Sequence, residues 1–527
     1  MALKLGVDVG GTHTDAVILT EKNELIGAAK AMTTPDVTSG VIKSIELVLE
    51  KSGVDPAEIK LAAIGTTHCL NALVQRRGLA KVAAIRLSLP AGLGVEPMMD
   101  WPAELRHAVG NSYFFAEGGY EYDGREFKGL NHAQLKEIAK VIKERRLEAA
   151  AITGQFSPIR SDQELEAARV LKEELGDSFP ISLSYEIGMI GLIERENSTI
   201  LNAALVPVAT AAANAFEEAL RNMGIYARLF FSQNDGTLMS VDYAKKYPVL
   251  TILSGPTNSI RGAGFLTGYS DAVVLDIGGT TLIAGMLVRG FPRQSSSVVE
   301  IAGIRTNFRA PDLVYIGCGG GSVVKFVNGD VEIGPESVGY ELITKGLAWG
   351  GHVVTTTDIS LAAGYATVEG DRRCDPSRTK LLDRSFVQRA VAKIVENVEK
   401  AIDMVKTSPE PVPVILVGGG GIIVPPDHYN KLEGASKVIR PSAFQYANAI
   451  GAAIAQVSGE VDRVFSLEEQ SREEALAKAK RMAIERAVAA GADPDKVEVV
   501  EVDEIFLAYL PSNAVRVRAK AAGPLKG

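Results

Sequence analysis

The segment VDVGGTHTD, Val7 to Asp15, recurs as LDIGGTTLI, Leu275 to Ile283, so an Asp-x-Gly-Gly-Thr core stands at the start of the chain and again past its middle. In each copy an apolar strand ends in an aspartate, turns on two glycines and resumes as a second strand. Glycines without Cβ let backbone N–H groups approach phosphate oxygens, threonine hydroxyls add donors, and a carboxylate beside them holds Mg2+ through water. One copy alone reads equally well as a plain β-hairpin. The repeat shifts that balance, because a duplicated hairpin implies a duplicated domain. Two such domains facing each other place both turns on opposite sides of one phosphate chain, with Asp8 and Asp276 converging on metal and attacking group.

A third feature is VILVGGGGIIV, Val414 to Val424, a buried strand running into four glycines. Gly418, Gly419, Gly420 and Gly421 let the backbone lie flat against a base, ribose or phosphate, since no side chain intervenes. Ser254-Gly255-Pro256 and Arg261-Gly262-Ala263-Gly264 are further turns that border the same cleft or serve structure alone. No GxxxxGK[ST] occurs and no GxGxxG opens a helix after a first strand, which excludes a Walker ATPase and a Rossmann dehydrogenase.

A chain of 527 residues exceeds one hydrophobic core, so several domains are expected. Strands are predicted at Leu3 to Val9, Ala16 to Thr20 and Leu25 to Ala31, followed by a helix from Val37 to Ser52 and a strand and helix alternation of the α/β kind. The stretch from Leu89 to Gly129, rich in Gly, Pro and aromatics, breaks the alternation and reads as an insertion. Alternation resumes with the strands Ala149 to Thr153 and Ile181 to Ser184. A long helix from Leu192 to Met223, interrupted near Pro207, bridges to a second half that repeats the opening. The expected domains are therefore 1–190, 191–460 and a small α/β appendix over 461–527, packed on the second half.

The formal charge of −8 is spread along the chain and leaves no basic stripe for a nucleic acid backbone. Apolar runs such as Val414 to Val417 and Ala203 to Val208 are broken before the roughly 20 residues that span a bilayer, and no leader with a cleavage site is read at the N-terminus, so a cytoplasmic protein is expected. Cys69, Cys318 and Cys374 form no zinc-like cluster and read as buried thiols. His13 and His68 follow glycine-threonine turns and so lie near a site, although an isolated histidine is more often a surface or packing residue.

These residues resemble the hydantoinase/oxoprolinase A-type subunits, within the actin and sugar-kinase superfamily. Besides the two hairpins, the resemblance rests on IGTTHCLNAL (Ile64 to Leu73), EIGMIGLIERENSTILNAAL (Glu186 to Leu205), SGPTNSIRGA (Ser254 to Ala263), IGCGGGS (Ile316 to Ser322), TTTDISLAAG (Thr355 to Gly364), LVGGGG, ANAIGAA and the tail AYLPSNAVRVRAKAAG (Ala508 to Gly523). It implies an α/β fold of duplicated actin-like, ribonuclease H-like domains around a nucleotide cleft. It also implies ATP-driven opening of a cyclic amide or imide, such as a hydantoin, 5-oxoproline or a lactam, with a separate B-type subunit and an oligomeric assembly. On that resemblance Mg2+ sits near Asp8 and Asp276. Gly10, Gly11, Thr12 and Thr14 with Gly278, Gly279, Thr280 and Thr281 bind phosphates, and Gly418 to Gly421 line the nucleoside of ATP. Asp276 orients or deprotonates the group that attacks the γ-phosphate.

Two departures stand out. Leu282 and Ile283 replace a polar pair ending in Asp that related sequences carry in the second hairpin, whereas the first keeps Thr14 and Asp15. SGPTNS replaces a more glycine-rich loop. A changed substrate is the first reading of both; an ATP-gated activator that remodels a partner, or an ATP-dependent carboxylase subunit, stays open beside it. Arg195, Thr199 and Asn202 share one helix face at i, i+4 and i+7, which faces a ligand or, more commonly, forms an internal hydrogen-bonded network. Asp358 is an open candidate, and Asp371, Arg372 and Arg373 read as a solvated loop.

Overall fold

The computed structural model describes residues 3–34, 37–295, 298–368, 371–468, 470–507 and 513–526. Two sheets repeat one order of strands. In the first, Leu3–Val9 runs antiparallel to His13–Leu19, which pairs antiparallel with Leu25–Met32; on its other side it runs parallel to Ile59–Gly65, and that strand parallel to Arg228–Ser232. In the second, Ala272–Ile277 runs antiparallel to Leu282–Val288, which pairs antiparallel with Phe291–Pro292; its other neighbours are the parallel strands Val412–Val417 and Ala435–Ile439. The duplicated α/β fold expected from the hairpins is thus present. Helices cover both faces of such sheets, so central strands read as near-continuous apolar runs: Leu5, Val7 and Val9 in one, Val273, Val274 and Leu275 in the other, all buried. The helix Thr38–Ser52 seals the first sheet through Val41, Ile45 and Val48. Arg384–Val405 seals the second through Ile394, Val398, Ala401 and Val405.

Between Ile59–Gly65 and Arg228–Ser232 lies a separate, all-parallel sheet in the order Ser112–Glu117, Val82–Leu89, Ala149–Gly154, Ile181–Leu183. The stretch expected as an insertion therefore supplies an edge strand of this sheet. The long helix, Leu192–Asn222, runs on through Pro207 rather than breaking there. By length and composition it could cross a membrane, which corrects the expectation that no segment approaches a span. Its first half is packed inside the protein and carries buried Arg195, Glu196, Asn197, Thr199 and Asn202, groups that need polar partners close by.

The C-terminal appendix does not sit on the second half. Val457–Ser466, Ala514–Gly523 and Glu498–Leu507 extend the first sheet through Leu238–Ser240, giving one sheet of nine strands. The helix Arg472–Ala489 buries Ala475, Ala479, Ala483 and Ala487, a stripe of small residues, in the core of that same sheet. Residues 508–512 of the tail motif lie outside the described residues. Cys69 and Cys318 are buried as expected, and Cys374 is only half-buried.

Two helices, Ser254–Thr267 and Ala447–Ile454, cross each other between the sheets. Their contact is backbone on backbone: a Cβ on Gly262 would lie 1.8 Å from the Ala447 carbonyl oxygen, and one on Gly451 1.9 Å from that of Asn258.

Candidate functional site

The first hairpin closes with Gly10 N–H donating to the His13 carbonyl at 2.9 Å, the second with Gly278 N–H donating to the Thr281 carbonyl at 3.0 Å. These are equivalent positions, so the two turns share a conformation as well as a sequence. They face each other, since a Cβ on Gly279 would lie 2.9 Å from Thr12 Oγ1. The third strand braces the first turn: Thr33 Oγ1 donates to the Gly10 carbonyl at 2.8 Å and bonds Thr14 Oγ1 at 3.1 Å. Thr14 is fully buried in this contact, so it supports the turn instead of presenting a hydroxyl to a ligand.

Asp8 and Asp276 end the central strands of their two sheets, and one helix serves both. Asn258 Nδ2 donates to Asp8 Oδ1 at 2.8 Å, and the adjacent Ser259 Oγ donates to Asp276 Oδ2 at 2.6 Å. From the crossing helix Asn448 Nδ2 reaches Asp8 Oδ2 at 3.2 Å and Asp15 Oδ2 at 2.9 Å, and Lys30 pairs with Asp15. Burial pushes the Asp8 carboxyl up to about 7, with Asp15 and Asp276 adding to the shift and the two amide donors opposing it. Burial raises half-buried Asp276 as well; Ser259 and Lys30 oppose that shift, and Asp15 adds to it. Gly65, at the end of the neighbouring strand, leaves the room for this arrangement: a Cβ there would lie 2.1 Å from Asp8 Oδ1.

The four-glycine run sits on the second turn. Gly418 adopts φ 79°, donates its N–H to the Phe444 carbonyl at 3.0 Å, and would place a Cβ 2.3 Å from Asp276 Oδ1. A Cβ on Gly420 would lie 2.4 Å from the Gly278 carbonyl oxygen. Gly320 and Gly321, from IGCGGGS, donate their N–H groups to the Gly278 and Gly279 carbonyls at 2.9 and 2.6 Å. That loop is a clamp on the turn. Gly11 and Gly419, by contrast, are exposed and meet nothing within 4 Å of an added Cβ, so no packing demands glycine there and both leave an open cradle of the kind a ligand fills.

Among the described residues no group of three or more His, Cys, Asp or Glu side chains gathers as a metal centre. The pair Asp8 and Asp276 nevertheless fits a Mg2+ held largely through water and phosphate oxygens, since both carboxyls are raised by burial and by the nearby Asp15 charge, the setting a cation relieves.

Other candidates fall elsewhere. Arg195 is buried and donates to Ser184 Oγ and to the Gly154, Met189 and Ile190 carbonyls, Thr199 Oγ1 to the Arg195 carbonyl, and Asn202 to Ser182 Oγ and the Lys246 carbonyl. Arg195 and Asn202 hold the long helix to the parallel sheet through Gly154 and Ser182, and Thr199 bonds within its own helix. Asp358 completes a capping box with Thr355 and accepts from Ala348 N–H at 2.8 Å, a structural role. Asp371 pairs with exposed Arg373. Arg261 stacks on Phe291, with 4.4 Å from guanidinium carbon to ring centroid. Burial, helped by Lys30, lowers His13 to about 4, so it is neutral near pH 7, and His68 Nδ1 bonds Thr66 Oγ1 at 2.6 Å. Sequence reasoning missed Asn258, Ser259 and Asn448 as partners of the two aspartates. The only signal was their place in SGPTNS and ANAIGAA.

Models of the hydantoinase/oxoprolinase N-terminal region and of the hydantoinase/oxoprolinase domain match residues 4–175 and 195–393. Among curated proteins, the caprolactamase subunit alpha of Pseudomonas jessenii is 27% identical over 69% of this chain and 54% of its own length. The acetone carboxylase beta subunit of Xanthobacter autotrophicus is 23% identical over 68% and 54%. The chain thus spans about half the length of these relatives. The crystal structure of the ATP-dependent caprolactamase from Pseudomonas jessenii superposes with a TM-score of 0.78 at 20% identity, covering 99% of this chain and 88% of that one, a likeness of fold. The chain with these two facing turns belongs to the hydantoinase/oxoprolinase family.

Proposed function

We propose that this chain binds Mg·ATP between its two glycine turns and uses it to activate a cyclic amide for ring opening, together with a partner subunit. The observation that carries the reading is that Asp8 and Asp276, one from each half, are held by consecutive residues of a single helix. An unstrained amide is a poor electrophile. Transfer of the γ-phosphoryl group to its carbonyl oxygen, with breakage of the bond to ADP, makes the carbon attackable. Water then adds at that carbon, the C–N bond breaks with a proton passing to nitrogen to leave an acyl phosphate, and a second water hydrolyses the acyl phosphate to the carboxylate and phosphate. Asp8 and Asp276 would hold a Mg2+, which would supply charge neutralisation for the phosphates. Gly10 to Thr12 and Gly278 to Thr281 bind the phosphates, Gly418 to Gly421 line the nucleoside, and Asp276 orients the attacking group. The family and the relative named caprolactamase subunit alpha support the cyclic amide as substrate.

One observation favours a second reading. Asp8 faces Asp15 across the first hairpin, but Asp276 faces Ile283 across the second. Loss of a carboxylate on one side fits a chain that closes on ATP to remodel a partner, or one acting on a ketone as the acetone carboxylase relative's name indicates. Phosphate release with Mg·ATP, measured with and without a B-type subunit across hydantoins, 5-oxoproline, lactams and ketones, separates these. Stimulation by one ring compound, lost in Asp276→Ala, is the expected result. Stimulation by a ketone alone, or by no small molecule while ATP still binds, overturns the cyclic-amide reading.

A further inference from the structure

In the first half of the chain three charged residues stand in one row across adjacent strands. Asp8 lies opposite Asp15, and Asp15 opposite Lys30, so the three side chains leave the same face of the sheet. The second half carries the same row without its acid and base: Asp276 lies opposite Ile283, and Ile283 opposite Tyr315 of the strand Leu313–Ile316. The carboxylate missing from the second hairpin is therefore missing together with the lysine that would pair with it. What distinguishes the two sides of the cleft is an ion pair, present on one side only.

The two members of that pair are held differently. Asp15 is buried; one oxygen accepts from Asn448 Nδ2 at 2.9 Å and the other takes Lys30. The Lys30 side chain keeps 29% of its surface exposed, and besides Asp15 its Nζ reaches only the Gln445 carbonyl among the described residues, at a long 3.5 Å. An ammonium has three N–H donors, so one is left for a further acceptor. The Lys30 charge acts on both halves: it opposes the rise of Asp276 and lowers His13, which puts it within electrostatic reach of both turns. Neither hairpin motif nor the four-glycine run contains a lysine or arginine. Arg261, on the helix that holds the aspartates, is spent on the Gly290 carbonyl and the Phe291 ring. Phosphoryl transfer gathers negative charge on phosphate oxygens, and a cation fixed beside them beforehand stabilises it without reorganising.

We propose that Lys30 is a catalytic residue: held by Asp15, it donates its remaining N–H to the phosphates of bound ATP beyond the α-phosphate. Those phosphates are the ones a metal at Asp8 would bridge, and Asp8 is the next-but-one residue in the row. Asp15 is then a positioning residue, and Asn448 ties it to Asp8. The inference rests on the ATP reading given above and adds to it the side chain that supplies positive charge.

The test is calorimetric titration of the full chain with AMP and with β,γ-imido-ATP in the presence of Mg2+, for wild type, Lys30→Met, Lys30→Arg and the double variant Lys30→Met with Asp15→Asn. The double variant removes both charges, leaves no buried carboxylate unpaired, and decides if Lys30→Met fails to fold. Loss of one charge-assisted hydrogen bond should weaken imido-ATP about tenfold or more in Lys30→Met and in the double variant, while AMP changes by less than about threefold. Lys30→Arg, which keeps the charge, should bind imido-ATP more tightly than Lys30→Met. Equal weakening of both nucleotides would make Lys30 a structural residue and overturn the proposal. So would unchanged imido-ATP affinity in a folded variant; if amide-stimulated phosphate release were lost alongside it, Lys30 would belong to the cyclic amide instead. A wild type that binds neither nucleotide overturns the ATP reading itself, whereas binding undiminished in the variants overturns this inference alone.

Discussion

Asp8 has two oxygens and both are engaged, by Asn258 and Asn448, while Asp276 is engaged by Ser259. Hydrogen bonds to a charged group contribute about 1.5–3 kcal/mol. Asn258→Ala, which frees the Asp8 carboxylate to rotate without touching the turns, therefore lowers ATP turnover about 10- to 100-fold, the rate equivalent of that energy. ATP affinity changes much less. Single-turnover kinetics beside equilibrium nucleotide binding checks this, and equal losses in both would make Asn258 a folding residue only. The two aspartates and the turn glycines were legible because strand, carboxylate and Gly-Gly turn are contiguous in sequence. Asn258 was not, because it meets Asp8 across 250 positions of chain, and a polar residue inside a helix carries no mark of what it will face.

At the level of elements, the two crossing helices set how the site is held. Their glycines allow backbone contact that no side chain can enter, and Gly6 on the first strand plays the same part, since a Cβ there would lie 2.3 Å from the Ala449 carbonyl oxygen. Gly451→Ala must push the helices apart. Overpacking of this kind costs about 1–3 kcal/mol or more, and here it also shifts Asn258, whose carbonyl is the atom struck. A lowered melting temperature together with reduced turnover is expected, against no change in Gly94→Ala, where an added Cβ meets nothing within 4 Å. A variant that melts early yet turns over normally would show that the helix contact does not reach the aspartates. Both segments stood out as motifs in the sequence, SGPTNSIRGA and ANAIGAA, but the first was read as turns and forms the helix Ser254–Thr267, and the crossing was not readable, because glycine in a helix signals close approach without naming the partner.

Across the whole molecule, a buried ion cluster ties the parts together. Asp235, in the loop after a first-sheet strand, pairs with Arg309 of the second half and with Lys520 of the C-terminal strand at 2.8 Å, and Asp235 and Lys520 are each almost fully buried. Burial alone would raise the Asp235 carboxyl, but Arg309 and Lys520 outweigh it and hold it well below the usual carboxylate range. A depressed carboxylate stabilises the fold above its unfolded value of about 3.9, and that contribution falls by about 1.4 kcal/mol per pH unit below it. Asp235→Asn leaves buried Lys520 without its ion-pair partner, while Arg309 keeps Glu460 at 2.9 Å, and should cost about 3–5 kcal/mol at pH 7. Denaturant midpoints for wild type and variant should converge as pH drops from 4 towards 2; a constant gap would mean that the cluster acts by packing, not charge.

The sequence by itself determined the two hairpins, the α/β alternation and the family, because turn chemistry and apolar periodicity are properties of contiguous residues. Only the tertiary structure decided that the C-terminal strands join the first sheet and not the second. A strand's own pattern fixes its faces but not its neighbour. That choice falls to whichever edge the folded sheet leaves open, here Leu238–Ser240.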